Sequence, residues 1–202
     1  MKGKDLQERL IKAGLPRDEA RKVLCVYENN IFIDVTKGVQ YLQEIQELVI
    51  QAFLEGMKAG PMAKEECVRV KVKLKDATIH VDPAHRGPAQ IIPAIKRSIF
   101  ASFLSAKPMI LEPKQKLVVN TPSEYMSSII GQIQGRRGQI TDMQQEGEAV
   151  NLTAKVPVSE MFGFASEMRG ASQGRAVWYT EYAGYEKMPA QLQNTTILSI
   201  RK

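Results

Sequence analysis

Gly135-Arg136-Arg137-Gly138-Gln139-Ile140-Thr141-Asp142-Met143-Gln144-Gln145-Glu146-Gly147-Glu148-Ala149-Val150-Asn151-Leu152-Thr153-Ala154-Lys155-Val156-Pro157-Val158-Ser159-Glu160 sets the architecture of the second half of this chain. The glycine-flanked arginine pair closes a helix that runs through Ile129, Ile130 and Ile133 at helical spacing. Residues 139–145 and 149–156 flank Glu146-Gly147-Glu148 and read as a hairpin. Val158-Ser159-Glu160 then opens a second helix containing Met161, Phe162, Phe164 and Met168.

The flanks complete the pattern. Lys116-Leu117-Val118-Val119-Asn120 reads as a strand ahead of a helix opened by Pro122-Ser123-Glu124, and Val177 to Tyr182 reads as a final strand. The resulting β-α-β-β-α-β order is that of the split βαβ, or ferredoxin-like, fold. Asn194 is placed as the cap of a short last helix. The strand at 149–156 has no aromatic residue, which argues against reading of single-stranded RNA by stacking on the sheet.

Upstream of Pro108 and Glu112-Pro113-Lys114, which read as a linker, the pattern differs. A short amphipathic helix carries Leu6, Leu10 and Ile11. Residues 22–27 and 31–35 form a hairpin around Glu28-Asn29-Asn30. A helix over 38–58 aligns Leu42, Ile45, Leu48, Val49, Ala52, Phe53 and Met57. Residues 67–75 alternate, with Val68, Val70, Val72 and Leu74 on one face and Arg69, Lys71, Lys73 and Lys75 on the other. Same-face neighbours in a strand lie about 6.6–6.8 Å apart, close to the spacing of successive phosphates. A plain solvated face accounts for the row as well. A further helix runs from Pro88 to about Ala106 and buries Ile91, Ile92, Ile95, Ile99, Phe103 and Leu104; Pro93 predicts an irregular start.

The composition bounds the function. The 202 residues carry a formal charge of +6, which favours an anionic partner, most simply nucleic acid, though a mildly basic soluble protein without such a partner fits the charge as well. Cys25 and Cys67 match no metal or redox spacing and read as reduced thiols of a cytosolic protein. No run approaches the roughly 18–20 apolar residues that span a bilayer. Neither a P-loop nor a Gly-x-Gly-x-x-Gly fingerprint occurs.

The candidate site is Ala84-His85-Arg86-Gly87, just ahead of a helix start where backbone N–H groups point outward unpaired. An imidazole and a guanidinium there predict an exposed cationic tip suited to phosphate or RNA bases. Asp76 and Asp82 stand near His80 and His85, so an acid/base site can be drawn, but no nucleophile or second carboxylate lies at a convincing spacing. The two histidines lack the spacing and cysteine neighbours of a zinc site. Arg136 and Arg137 either complement a helix C-terminus or contact phosphate.

Three motifs carry a family resemblance: Gly135 to Ile140, Val156-Pro157-Val158-Ser159-Glu160-Met161-Phe162-Gly163-Phe164, and Ser172-Gln173-Gly174-Arg175-Ala176. With them, residues 116–189 resemble the last domain of the ribosomal translocases, the elongation factor G and elongation factor 2 family. Residues 37–60 and 76–93 resemble the preceding domain, and the run Arg86-Gly87-Pro88-Ala89-Gln90 resembles its archaeal form. The resemblance implies an α+β chain of two domains. Residues 1–112 would be a partial ribosomal-protein-S5-domain-2-like βαβ domain, truncated at its start. Residues 113–189 would be ferredoxin-like, and 190–202 a C-terminal helix cut short.

It also implies a C-terminal fragment that supplies a ribosome- and tRNA-contacting arm while the GTPase domain, with GTP and Mg2+, lies elsewhere. His85 would be the histidine converted to diphthamide and ADP-ribosylated by toxins. His85, Arg86, Asp82, Arg136 and Arg137 would contact ribosome or tRNA. The expected partners are the ribosome, ribosomal RNA, tRNA and mRNA in the decoding centre, and diphthamide-synthesis enzymes, around a cytoplasmic monomer with no membrane and no catalytic residue in this part. A paralogous ribosome-binding GTPase fragment and a stand-alone RNA-binding module are the other readings.

Overall fold

A computed structural model describes residues 4–200, which divide into two compact units meeting at Pro108 and Met109; the segment from Asn194 groups with the first. In the first unit, α1 (Lys4–Lys12) and α2 (Arg17–Ala20) precede a hairpin of β1 (Val23–Tyr27) and β2 (Asn30–Asp34). Helix α3 (Leu42–Lys58) then crosses to β3 (Lys71–Leu74), which pairs parallel to β2, with Ile31 opposite Lys71. Helix α4 (Pro88–Ser105) follows a single 3-10 turn, Pro83–His85. The sheet order β1-β2-β3 is thus a βαβ crossover with an added antiparallel edge.

Its core forms where α3 turns its apolar stripe to the sheet. Phe53 stacks on Phe32 at 5.0 Å, and Ile45, Val49, Met57, Cys67 and Ile99 complete the cluster. Fully burying such side chains contributes about 1.5–3 kcal/mol each. Helix α3 begins at Leu42 rather than 38, because Gly38 and Tyr41 adopt left-handed backbone (φ 75° and 60°). Helix α4 starts regularly at Pro88; Pro93 is accommodated on its exposed side. Leu104, expected inside, is exposed, whereas Phe103 still packs on the cluster.

The alternating run at 67–75 proves shorter than its pattern. Arg69 adopts left-handed backbone (φ 59°), which rotates the chain out of the extended form, and Val68 is 43% exposed. Only residues 71–74 pair as strand. The chain enters β3 through Asn30 instead. That side chain is fully buried, donates to the Cys67 carbonyl at 2.7 Å and accepts from the Val70 N–H at 3.0 Å. Asn30 therefore belongs to β2, and the hairpin turn is Glu28-Asn29 alone.

In the second unit, β4 (Leu111–Pro122) leads through a short 3-10 turn to α5 (Met126–Gly135). The hairpin of β5 (Gln139–Glu146) and β6 (Ala149–Pro157) follows, then α6 (Phe164–Ala171) and β7 (Val177–Lys187); α7 (Ala190–Ile200) begins at the end of this unit, which closes at Gln193. The antiparallel order β5-β6-β4-β7 is the ferredoxin-like arrangement expected from the element order. Leu117, Val119, Leu152 and Val156 face Ile129, Ile133, Phe164 and Met168 in the core. Glu112-Pro113-Lys114, expected as a linker, is the start of β4, paired with Glu186 and Tyr185 of β7 and with Pro157 of β6. The boundary expected between residues 112 and 113 therefore falls inside a strand. Asn194 lies within α7 rather than capping it.

Helix α5 ends in a Schellman arrangement: Gly138 N–H bonds the Ile133 carbonyl at 2.9 Å and Arg137 N–H bonds that of Gln134 at 3.0 Å. The left-handed position usually given to glycine is filled by Arg137 (φ 57°). Gly138 is needed for a different reason. A Cβ there would lie 2.5 Å from Ile133 Cγ2 and 2.7 Å from Val156 Cγ1, where α5 turns into β5.

Candidate functional site

The segment after β3 is short of regular structure until the 3-10 turn, and Asp82 builds that turn. Its Oδ1 accepts the Ala84 N–H at 2.9 Å, its carbonyl accepts from His85 N–H at 3.1 Å, and Pro83 fixes the first turn position. The Asp82 N–H in turn donates to His80 Nδ1 at 3.1 Å, which leaves that nitrogen as acceptor. The His80 and His85 rings meet edge to face with centroids 4.6 Å apart. His85 Nε2 lies 4.0 Å from Asp82 Oδ2, beyond direct hydrogen-bond reach, and the His85 side chain is 60% exposed.

Arg86 departs from the expected exposed tip. Its side chain is only 6% exposed. Nε donates to the His80 carbonyl at 2.7 Å, Nη2 to the Val81 carbonyl and Nη1 to Glu44. The Tyr41 ring covers the guanidinium face at 3.7 Å. The reason is chemical: a planar fork with five N–H donors satisfies two loop carbonyls and a carboxylate at once, so pairing inward outcompetes solvent. His85 alone of the pair faces outward. Its ring meets that of His80 and stands 4.0 Å from the Asp82 carboxylate.

Arg136 and Arg137 also turn inward, within the second unit. Arg137 Nε reaches Glu160 at 2.8 Å, and its two Nη atoms grip both oxygens of Glu112 at 3.0 and 2.9 Å. Glu112 is buried and also accepts from Lys114 at 2.8 Å. Burial by itself would raise the Glu112 carboxyl, but the bonds from Arg137 and Lys114 outweigh it and hold the group below its ordinary 4.5. The Arg137 guanidinium, bonded chiefly to Glu112, is held above its usual value. Arg136 bonds the carbonyls of Glu160 and Phe162, pairs with Glu167 at 2.8 Å and stacks on Phe164. Both arginines brace the 158–163 turn against the end of α5.

The cationic row on β3 is half neutralised. Lys71 and Lys73 both pair with Glu19 of α2, whose carboxyl is lowered by the bond from Lys73 first and Lys71 next. Glu19, Tyr41, Glu44, Glu112 and Glu160 were missed by sequence reasoning. Each is ordinary within its own segment, and only its distant partner gives it meaning. No group of His, Cys, Asp and Glu among the described residues is arranged to hold a metal ion, and no helix among them is long and apolar enough to cross a membrane.

The chain thus carries a βαβ unit bearing an exposed loop histidine, followed by a ferredoxin-like unit. Residues 1–107 match the family described as "Elongation factor G, domain IV" and residues 109–196 match "Elongation factor G C-terminus". The chain belongs to the elongation factor G family. It is 51% identical over 202 residues to elongation factor 2 of Methanopyrus kandleri, across 100% of this chain and 16% of that protein. To elongation factor 2 of Methanocaldococcus jannaschii it is 50% identical over 195 residues, 96% of this chain and 27% of that protein. To that of Archaeoglobus fulgidus it is 49% identical over 202 residues, 100% of this chain and 28% of that protein. The chain thus spans between 16% and 28% of the length of these relatives.

Proposed function

We propose that this chain is the ribosome-contacting part of a translocase, in which His85 is the group presented to tRNA, mRNA and ribosomal RNA in the decoding centre and the acceptor of diphthamide. Family membership supports the setting, and the observation that carries the assignment of His85 is its outward ring on a loop that is otherwise hydrogen-bonded down. The role is mechanical and electrostatic. The imidazole, braced by His80 and Asp82, occupies space beside the codon–anticodon helix and opposes its return after translocation. Conversion of His85 to a cationic derivative adds polar contacts to RNA backbone.

Arg86, Arg136 and Arg137 act inward in this reading, because their guanidinium groups are already bonded to protein acceptors. Asp82 acts through the turn it caps. The residues present include no phosphate loop, so GTP and Mg2+ are assigned to the remainder of the longer relatives, and no step described here runs through them. A cytoplasmic setting follows from work on the ribosome.

The test is His85→Ala in a full-length factor carrying this sequence. A slower translocation rate and more frequent loss of reading frame are expected in a reconstituted translation assay. Unchanged rate and unchanged frame maintenance would overturn the proposal.

A further inference from the structure

We propose that Arg86 is a positioning residue: stacked on Tyr41 and paired with Glu44 of α3, it closes the 80–86 loop into a fixed ring and so sets how His85 is presented. This rests on the reading of His85 as the functional residue. Three observations carry it. The guanidinium spends Nε and Nη2 on the carbonyls of His80 and Val81, six and five residues back in the chain, so the loop is cinched across its base. The remaining edge and one face go to Glu44 and Tyr41, which anchors the cinch to a core helix rather than to another loop. Tyr41 holds left-handed backbone (φ 60°) at the start of α3, a conformation disfavoured for a side chain of its size, and its ring covers the buried guanidinium.

The geometry explains why lysine would not serve. A single ammonium can neither bridge two carbonyls and a carboxylate in one plane nor stack on a ring. His85 follows directly: its N–H is tied to Asp82, its neighbour is pinned, and its ring rests on His80, whose own carbonyl Arg86 holds. The clamp thus fixes both rings of the histidine pair.

The test uses Arg86→Lys, with Glu44→Gln as a milder second variant because it keeps an acceptor at a half-exposed site. In the 202-residue chain, amide exchange at Ala84, His85 and Arg86 is expected to quicken by about tenfold or more in Arg86→Lys, and by less in Glu44→Gln, while amides of α3 and β4 keep their protection. In an archaeal host, the mass adduct on the His85 peptide is expected to fall in the same order, with recovery in Glu44→Gln. Unchanged exchange at residues 84–86 in both variants would overturn the clamp. Exchange that quickens with full adduct formation in both would overturn its role in presentation. If the parent chain itself carries no adduct, the assignment of His85 fails instead, and the exchange data still decide the clamp.

Discussion

Arginine in a chain of net charge +6 invites an anionic partner, yet Arg86, Arg136 and Arg137 all find acceptors inside their own unit. The Arg137–Glu112 pair shows the consequence. Glu112 is buried, so removing its charge strands the fork that holds a left-handed helix end. Glu112→Gln is expected to destabilise the second unit by about 3 kcal/mol at neutral pH. Urea denaturation read by Trp178, the chain's single tryptophan and part of that unit's core, checks it. The pH dependence has a definite sign. Because the folded carboxyl lies below its ordinary 4.5, its stabilisation is fully present above that value. It is lost as pH falls through 4.5 toward the folded value. The parent chain should therefore lose stability in acid, and Glu112→Gln should flatten that loss.

At the scale of elements, the joining of β2 to the approach of β3 depends on one amide. Asn29 and Asn30 look alike in the sequence, but Asn29 is an exposed turn residue and Asn30 is fully buried between two backbone groups. Asn30→Ala would leave the Cys67 carbonyl and the Val70 N–H unpaired, at a cost of about 2 kcal/mol. Asn29→Ala should change stability by less than about 0.5 kcal/mol. Urea unfolding followed by far-ultraviolet circular dichroism separates the two; equal effects would show that the bridge contributes nothing. The long elements were legible where their periodicity is local: α3, α4, β6 and the 116–120 part of β4 follow from 3.6- and 2-residue repeats. The shortened β3 was not, because Arg69 breaks the strand by backbone conformation while keeping the alternating pattern of side chains.

For the whole molecule, the charge of +6 predicts weak RNA binding that falls steeply with salt. Anisotropy of a labelled single-stranded RNA should show an affinity that drops with a log–log slope of about −0.7 per phosphate neutralised. Reversing Arg136 or Arg137 is a poor probe, since each would break a protein contact. Arg69→Glu and Lys75→Glu, at exposed positions, should weaken binding without loss of fold. Salt-independent affinity would contradict the electrostatic account. Chain order, apolar spacing and turn residues were enough to establish two α+β units, the ferredoxin-like order and the loop that carries His85, since those signals are written within a few residues of one another. Which cations face solvent was settled only by folding. A guanidinium turns inward when carbonyls and carboxylates far away in the chain converge on it, and Glu44, 42 residues from Arg86, leaves no mark of that meeting in its own segment.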